Sequence, residues 1–340
     1  MTKLYRVAVV GASGVVGEAM LASLAERQFP VAEIFPLGSE RSLGKSVPFG
    51  SQSLDVLDLA TFDFTDIDVA FFAAGTDVAK KYAPIAAAHN CVVIDNSSCF
   101  RYEADIPLVI PEVNPERIAD YTRQGIIANP NCSTIQMLVA LKPLHDAAQI
   151  SRINIATYQS VSGTGRKAVS EVIAQVGELL NGRPAVSKVY PQQIAFNAIP
   201  HIDDFQDNGY TREEMKMVWE THKILEDDSI LVNPTAVRVP VLYGHSEAIH
   251  VEFKSPLSAK KARQVLKKAP GVTVVDDPRK TKYPTVISHA VGQDDVVVGR
   301  LREDISHPNG LDLWVVADNI RKGAATNAVQ IAELLCRDYI

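Results

Sequence analysis

Residues 7–10 form a continuous apolar run, suited to a strand buried on both faces. The stretch GASGVVG follows at 11–17, and a helical pattern then continues to about Arg27. Further short strands are predicted at 34–37, 68–74, 91–95 and 126–128, with a helix over 77–89. Strand, helix and strand at this spacing predict a parallel, Rossmann-type sheet in an α/β domain. The second half reads differently. Long alternating strands appear at 152–160, 248–253 and 311–317, separated by helices such as 258–269, whose Ala262, Val265, Leu266 and Ala269 share one stripe. That mixture predicts an α+β domain with a largely antiparallel sheet. A final amphipathic helix over 320–336 is expected to return to the first domain, which otherwise lacks helices for both sheet faces. The expected division is 1–131 with 320–340, and 132–319.

The 340 residues are 46% apolar and 22% charged, as in ordinary globular chains, and the net charge is −6. A mildly acidic chain without a basic block is a poor nucleic-acid binder. Its short basic pairs, Lys260 with Lys261 and Lys267 with Lys268, read as the solvated face of one helix. No apolar run approaches the roughly 18 residues of a membrane span, so no membrane association is expected. The four cysteines form no CxxC pair and no metal-like spacing with histidine, so no metal site is expected. They suggest a reducing, cytoplasmic setting, in which a cysteine in a special environment is a candidate nucleophile.

Gly11, Gly14 and Gly17 form G-x-x-G-x-x-G between the first strand and a helix. Glycines there allow a tight turn and close approach to a phosphate, and the helix N-terminus offers N–H groups to the anion. Gly11, Ser13, Gly14, Val15 and Val16 are the positions expected to hold a dinucleotide. After the second strand comes Gly38-Ser39-Glu40-Arg41-Ser42. Ser39, Arg41 and Ser42 suit the 2′-phosphate of NADP, whereas Glu40 facing inward would favour NAD.

Asn129-Pro130-Asn131-Cys132-Ser133-Thr134 precedes a helical run to about Ala148. Pro130 biases Asn129 towards extended geometry, so Cys132 falls at or just before the first helical turn. N–H groups there stabilise a thiolate and an oxyanion. Cys91 starts an apolar strand and Cys336 lies in an amphipathic helix, so both read as structural; Cys99 sits in a polar loop with no partner motif.

With these motifs the chain closely resembles the aspartate-semialdehyde dehydrogenases, nearly end to end. The resemblance rests on GASGVVG, DNSSCFR (95–101), NPNCST (129–134), TYQSVSGTGRKAV (157–169), RVPVLYGHSEAIHVEF (238–253) and ADNIRKGAATNAVQIAE (317–333). It implies reversible, NADP-dependent conversion of L-aspartate 4-semialdehyde and phosphate into L-4-aspartyl phosphate, serving lysine, threonine and methionine biosynthesis. It also implies a cytoplasmic homodimer formed through the second domain. Cys132 would be the nucleophile, forming a thioester, and His245 the acid–base residue, its ordinary pKa near 6.5 suiting proton exchange. His250, five residues on, would face the other side of the strand. Gln159 would orient the substrate, Arg238 clamp its carboxylate and Glu213 attract its ammonium. Arg101, Asn131 and Lys216 would bind phosphate. Ser162 and Gly163 would form a cofactor loop, with Asn319 near the nicotinamide amide. Cys99 departs from the family pattern. N-acetyl-glutamyl-phosphate reductase and malonyl-CoA reductase share the fold and thiol chemistry; the first would carry a glycine before its cysteine and the second a coenzyme A channel. A catalytically dead paralogue should have lost Cys132, His245 or Arg238, and all three are present.

Overall fold

The structure, a computed structural model, describes residues 3–340. The chain divides into two compact units, Met1–Asn131 with Ala324–Ile340, and Cys132–Gly323.

In the first unit, β1 (Tyr5–Val10) leads through the glycine loop into α1 (Val15–Glu26) and β2 (Val31–Gly38). A hairpin of β3 (Ser46–Phe49) and β4 (Gln52–Asp55) precedes β5 (Leu57–Asp58) and β6 (Val69–Phe72). Next come α2 (Thr76–Ala88), β7 (Val92–Asp95) and β8 (Ile126–Ala128). The main sheet is parallel throughout, in the order β5-β2-β1-β6-β7-β8. Counted along the chain, this is the doubly wound order whose direction reverses between β1 and β6, where such sheets bind ligands at the strands' carboxyl ends.

The second unit begins with α3 (Cys132–Ala148), followed by β9 (Ile150–Gln159), α4 (Arg166–Leu180) and α5 (Arg212–Leu225). It continues through β10 (Leu231–Arg238), β11 (His245–Phe253), α6 (Ala259–Leu266), β12 (Val272–Val274), β13 (Val296–Glu303) and β14 (Gly310–Ala317). The sheet order is β10-β9-β11-β14-β13-β12. The three central pairings are antiparallel and the two outer ones parallel. This register brings the ends of β9, β10 and β14 and the start of β11 to one edge. Along β11 every second residue from His245 to Phe253 is buried, which puts His250 on the opposite face as the strand period requires.

The chain then returns to the first unit as α7 (Thr326–Asp338). The expected helix over 320–336 is entered through a π-helical turn, Arg321–Ala325, wider than an α-helical one, which runs directly into α7. Asp318 caps this entry: its carboxylate takes the N–H groups of Ile320 and Arg321, and its carbonyl that of Gly323. α7 buries Val329, Ile331 and Leu335 in one cluster with Val7, Val9, Met20 and Leu24. The Arg27 guanidinium pairs both oxygens of Glu333 at 2.7 Å, and Tyr5 Oη donates to the Cys336 carbonyl at 2.8 Å.

Glu247 is a charged residue type placed in the second unit's core. It is fully buried on the inner face of β11, and neither carboxyl oxygen finds a hydrogen-bond partner. Burial raises its pKa well above the usual carboxyl value. The folded protein therefore holds Glu247 protonated. A carboxyl whose pKa is raised by folding contributes its stability below the unfolded value, and that contribution is lost as pH rises towards the folded value. Glu247→Gln should thus raise the melting temperature by roughly 2–4 °C at about pH 8, with the gain shrinking as pH falls to about 5. Thermal melts of the two proteins across this range check it; a gain independent of pH would contradict it.

Candidate active site

The second unit gathers Cys132, Gln159, Arg238, His245 and Asn319 at its sheet edge. Cys132 is the first residue of α3, so its side chain stands among the N–H groups of the first turn. Those groups and the helix dipole favour negative charge there. Cys132 Sγ lies 3.3 Å from His245 Nε2. Gly323 makes room for it, since a Cβ at that position would come within 2.8 Å of Cys132 Cβ.

His245 is fully buried. It follows Gly244, whose φ of +83° a residue with a side chain rarely adopts. The backbone N–H of Ser160 donates to His245 Nδ1 at 3.1 Å. An accepting Nδ1 places the proton of the neutral ring on Nε2, the nitrogen that faces Cys132. Burial pushes the imidazole pKa down, and the Arg238 guanidinium adds to the effect, to about 3. The expectation of an ordinary histidine pKa is therefore corrected. The ring is neutral at working pH and presents an N–H to the sulfur. It is an oriented donor before it is a base.

Four neighbours fix this geometry. Ser160 Oγ lies 3.1 Å from Nδ1 and donates to Asn319 Oδ1 at 3.1 Å. Asn319 Oδ1 also accepts from Ser162 Oγ at 3.1 Å and from the Gly244 N–H at 2.8 Å. Asn319, Ser162 and Gly244 thus hold the loop against the imidazole. Gly163 completes it: a Cβ there would stand 3.5 Å from Arg238 Nη1 and 3.7 Å from His245 Cε1. Glycine leaves open the space that faces both groups.

Gln159 is 2% exposed, and its amide donates to Ser133 Oγ at 3.0 Å and to Glu213 Oε1 at 3.2 Å. It ties the residue after Cys132 to α5. That helix starts with a reciprocal cap between Thr211 and Glu214, and Glu214 also accepts the Ala236 N–H, which pins α5 to β10. The three-residue spacing of Glu213 and Lys216 puts them on one face, as expected, and the pair is largely buried rather than surface-bound. Lys216 Nζ sits 2.9 Å from Glu213 and 2.8 Å from Asp203. Burial alone would lower its pKa, but the two carboxylates outweigh it and the value is raised.

Arg238 ends β10 opposite Gln159 in the register. It is 5% exposed and donates from Nη1 to the Ser160 carbonyl at 2.7 Å, while its buried Nε has no hydrogen-bond partner. A buried guanidinium with an N–H edge left over calls for an anion.

The first unit holds the remaining sites. Gly11 has a φ of +81°, and a Cβ on it would lie 2.7 Å from the Ala73 carbonyl, just after β6. A Cβ on Gly17 would run into the Gly11 carbonyl. The glycine loop is thus packed at the sheet's reversal point, and Gly14 heads α1 with no side-chain cap on its first turn, with Val15 and Val16 next. Those features fit a dinucleotide phosphate. Ser13 Oγ lies 3.0 Å from Ser42 Oγ, joining this loop to the turn after β2. In that turn Ser39, Glu40 and Arg41 are all exposed. Arg101 is buried and donates to the Asn96 carbonyl at 2.9 Å. Asn96 accepts from Asn129 at 2.8 Å, and Asn129 accepts from Asn327 at 2.7 Å. Asn131 is buried as well. Among the described residues, no group of three histidines, cysteines or acids is placed to hold a metal ion.

Residues 6–121 match the family described as semialdehyde dehydrogenase, NAD binding domain, and residues 141–322 match semialdehyde dehydrogenase, dimerisation domain. The aspartate-semialdehyde dehydrogenase of Legionella pneumophila is 68% identical over 340 residues, covering 100% of this chain and 98% of the relative. The chain belongs to the aspartate-semialdehyde dehydrogenase family.

The solved aspartate semialdehyde dehydrogenase II of Vibrio cholerae, complexed with ASA, is 56% identical with a TM-score of 0.98 and full coverage of both chains. The Candida albicans family member, solved with NADP, is 26% identical with a TM-score of 0.76 over 98% of each chain. The chain is therefore a pyridine-nucleotide enzyme of the family's two-part α/β fold. Reasoning from the sequence missed Ser160, Gly244, Gly323 and the chain of Asn96, Asn129 and Asn327. The glycine–histidine step at 244–245 was a readable turn signal; the others act only through neighbours distant in sequence.

The tautomer of His245 is directly measurable. Nitrogen-15 histidine spectra should show one ring neutral and protonated on Nε2 throughout about pH 5 to pH 8, because its pKa lies below that window. His245→Asn removes the signal and assigns it. A ring at this position titrating near 6.5 would contradict the geometry.

Proposed function

We propose that the enzyme interconverts L-aspartate 4-semialdehyde plus phosphate with L-4-aspartyl phosphate, using NADP and a thioester on Cys132. The supporting observation is Cys132 Sγ at the head of α3, 3.3 Å from an imidazole whose N–H faces it. In the oxidative direction the Cys132 thiolate adds to the aldehyde carbon, and the negative charge moves to oxygen. His245 Nε2–H, hydrogen-bonded to sulfur beforehand, follows the charge to that oxygen. Loss of hydride from the same carbon restores the C=O bond and leaves a thioester. A phosphate oxygen then attacks the thioester carbon, the C–S bond breaks, and the thiolate returns. The covalent thiol divides one difficult step into two easier ones.

The dinucleotide, when bound, supplies the hydride acceptor. Gly11, Ser13, Gly14, Val15 and Val16 would hold its phosphates, with Ser162, Gly163 and Asn319 lining the nicotinamide end. Arg41 with Ser39 and Ser42 supports NADP, because a guanidinium and two hydroxyls suit a 2′-phosphate. The unpartnered edge of Arg238 would take the substrate carboxylate, Glu213 its ammonium, and Gln159 would orient it. Arg101, Asn131 and the third N–H of Lys216 would take phosphate.

We read the outer face of the second sheet as the surface of a homodimer. Helices α3, α5 and α6 pack with this sheet, while Tyr158 remains exposed beside Trp314, ring centroids 5.6 Å apart. A cytoplasmic setting accords with four cysteines of which none forms a disulfide. No helix among the described residues is long and apolar enough to cross a membrane.

The discriminating assay is phosphate-dependent reduction of NADP with aspartate semialdehyde, run beside N-acetylglutamate semialdehyde and with NAD in place of NADP. Aspartate semialdehyde with NADP should give the highest kcat/KM, by about tenfold or more over either exchange. Equal or greater turnover of the acetylated substrate would overturn the substrate assignment, and equal use of NAD the cofactor assignment.

A further inference from the structure

Residues 181–210 connect α4 to α5 without a helix, and loops of that length in a packed domain usually serve a function. This one is fastened closely. Glu171 on α4, 7% exposed, accepts the consecutive N–H groups of Lys188 at 2.7 Å, Val189 at 2.6 Å and Tyr190 at 3.3 Å. One helical turn on, Gln175 accepts the N–H groups of Ile194 and Ala195, both at 3.0 Å, and donates to the Val186 carbonyl at 3.1 Å. Ile194 and Ile199 are buried with Val161, Ala168 and Val172. The loop then joins β10 at a specific residue: Ile199 and Arg238 exchange backbone hydrogen bonds at 2.9 and 2.8 Å.

These anchors place Tyr190 against Arg238. The guanidinium carbon lies 5.9 Å from the Tyr190 ring centroid, and Tyr190 Oη donates to Thr164 Oγ1 at 3.0 Å. Arg238 is thus held at Nη1 by the Ser160 carbonyl and flanked by an aromatic ring, which leaves Nε and the adjoining edge for a ligand. Burial raises the Tyr190 phenol's pKa, with Arg238 opposing, so the hydroxyl stays protonated and adds no negative charge to compete for the guanidinium.

We propose that Tyr190, held in place by Glu171 and Gln175, is a positioning residue that aims the free edge of Arg238 at the substrate carboxylate and so sets the affinity for the semialdehyde. This rests on reading Arg238 as the carboxylate-binding residue. A guanidinium on a flexible stem loses rotamer freedom when it grips a ligand, and a ring against it removes part of that loss in advance.

The test is steady-state kinetics of the full-length enzyme with Tyr190→Ala, Tyr190→Phe and Arg238→Lys, each first checked for an unchanged melting temperature. Tyr190→Ala should raise KM for aspartate semialdehyde about tenfold, with kcat within about twofold and the KM values for NADP and phosphate unchanged. Tyr190→Phe keeps the ring and should keep the wild-type KM. Arg238→Lys should raise the same KM at least as much as Tyr190→Ala. If Arg238→Lys raises KM and Tyr190→Ala does not, the role of Tyr190 is refuted while that of Arg238 stands. If neither changes KM, the carboxylate assignment of Arg238 fails, and the Tyr190 proposal with it. If Tyr190→Ala lowers kcat and raises every KM together, or Tyr190→Phe behaves as Tyr190→Ala, the ring is not acting through Arg238 and the proposal is wrong.

Discussion

The contact between Cys132 Sγ and His245 Nε2 depends on a backbone N–H. An imidazole buried beside a sulfur can carry its proton on either nitrogen, and only one tautomer offers a donor to the thiolate. The Ser160 N–H at Nδ1 makes that choice. Its position follows from the sheet: Ser160 directly follows β9, and His245 opens the antiparallel strand beside it. A shift of one residue in that pairing would turn His245 to the face where His250 now lies. Sheet register, more than any flexible side-chain contact, fixes the chemistry.

The second feature of the site is charge held out of water. Arg238 is buried with an unused N–H edge, and Lys216 lies between two carboxylates. Groups like these cost stability in the empty protein and gain it back when an ion of the right shape arrives. The Arg238 charge also helps to hold the His245 pKa low. A substrate carboxylate on Arg238 would neutralise that charge and make the imidazole more basic, so that substrate binding and the later proton steps are coupled through one guanidinium. Glu247 shows the other solution: deep in the core it is neutral, and its cost is that of keeping a proton.

Much of this architecture was legible in the chain. Apolar runs without alternation marked the parallel strands, and alternation marked β9, β11 and β14, because strands buried on two faces and on one face need different patterns. The glycines at 11, 14 and 17 announced the tight loop, and Pro130 with the polar Asn-Cys-Ser step placed Cys132 at a helix head. What escaped the sequence depended on tertiary neighbours. The spacing of Glu213 and Lys216 gave a shared face but not its burial. Glu247 reads as an ordinary polar residue in an alternating strand until α3 covers it. Gly323 matters only because Cys132 lies against it, and Tyr190 only because a loop with no periodic pattern crosses Arg238. The final helix begins within a residue of its expected start, but its opening π-helical turn, with Gly323 bonded back to the Asp318 carbonyl, is a local bond that apolar periodicity does not report.

The central claim is that the sulfur of Cys132 carries the acyl group. Mixing the enzyme with L-4-aspartyl phosphate in the absence of any dinucleotide, quenching in acid and mapping the peptides by mass spectrometry tests it directly. One aspartyl group on the peptide containing Cys132, lost when phosphate is added before the quench and missing from Cys132→Ala, is the expected result. No adduct at all, or an adduct on another residue that survives in Cys132→Ala, would contradict the covalent route.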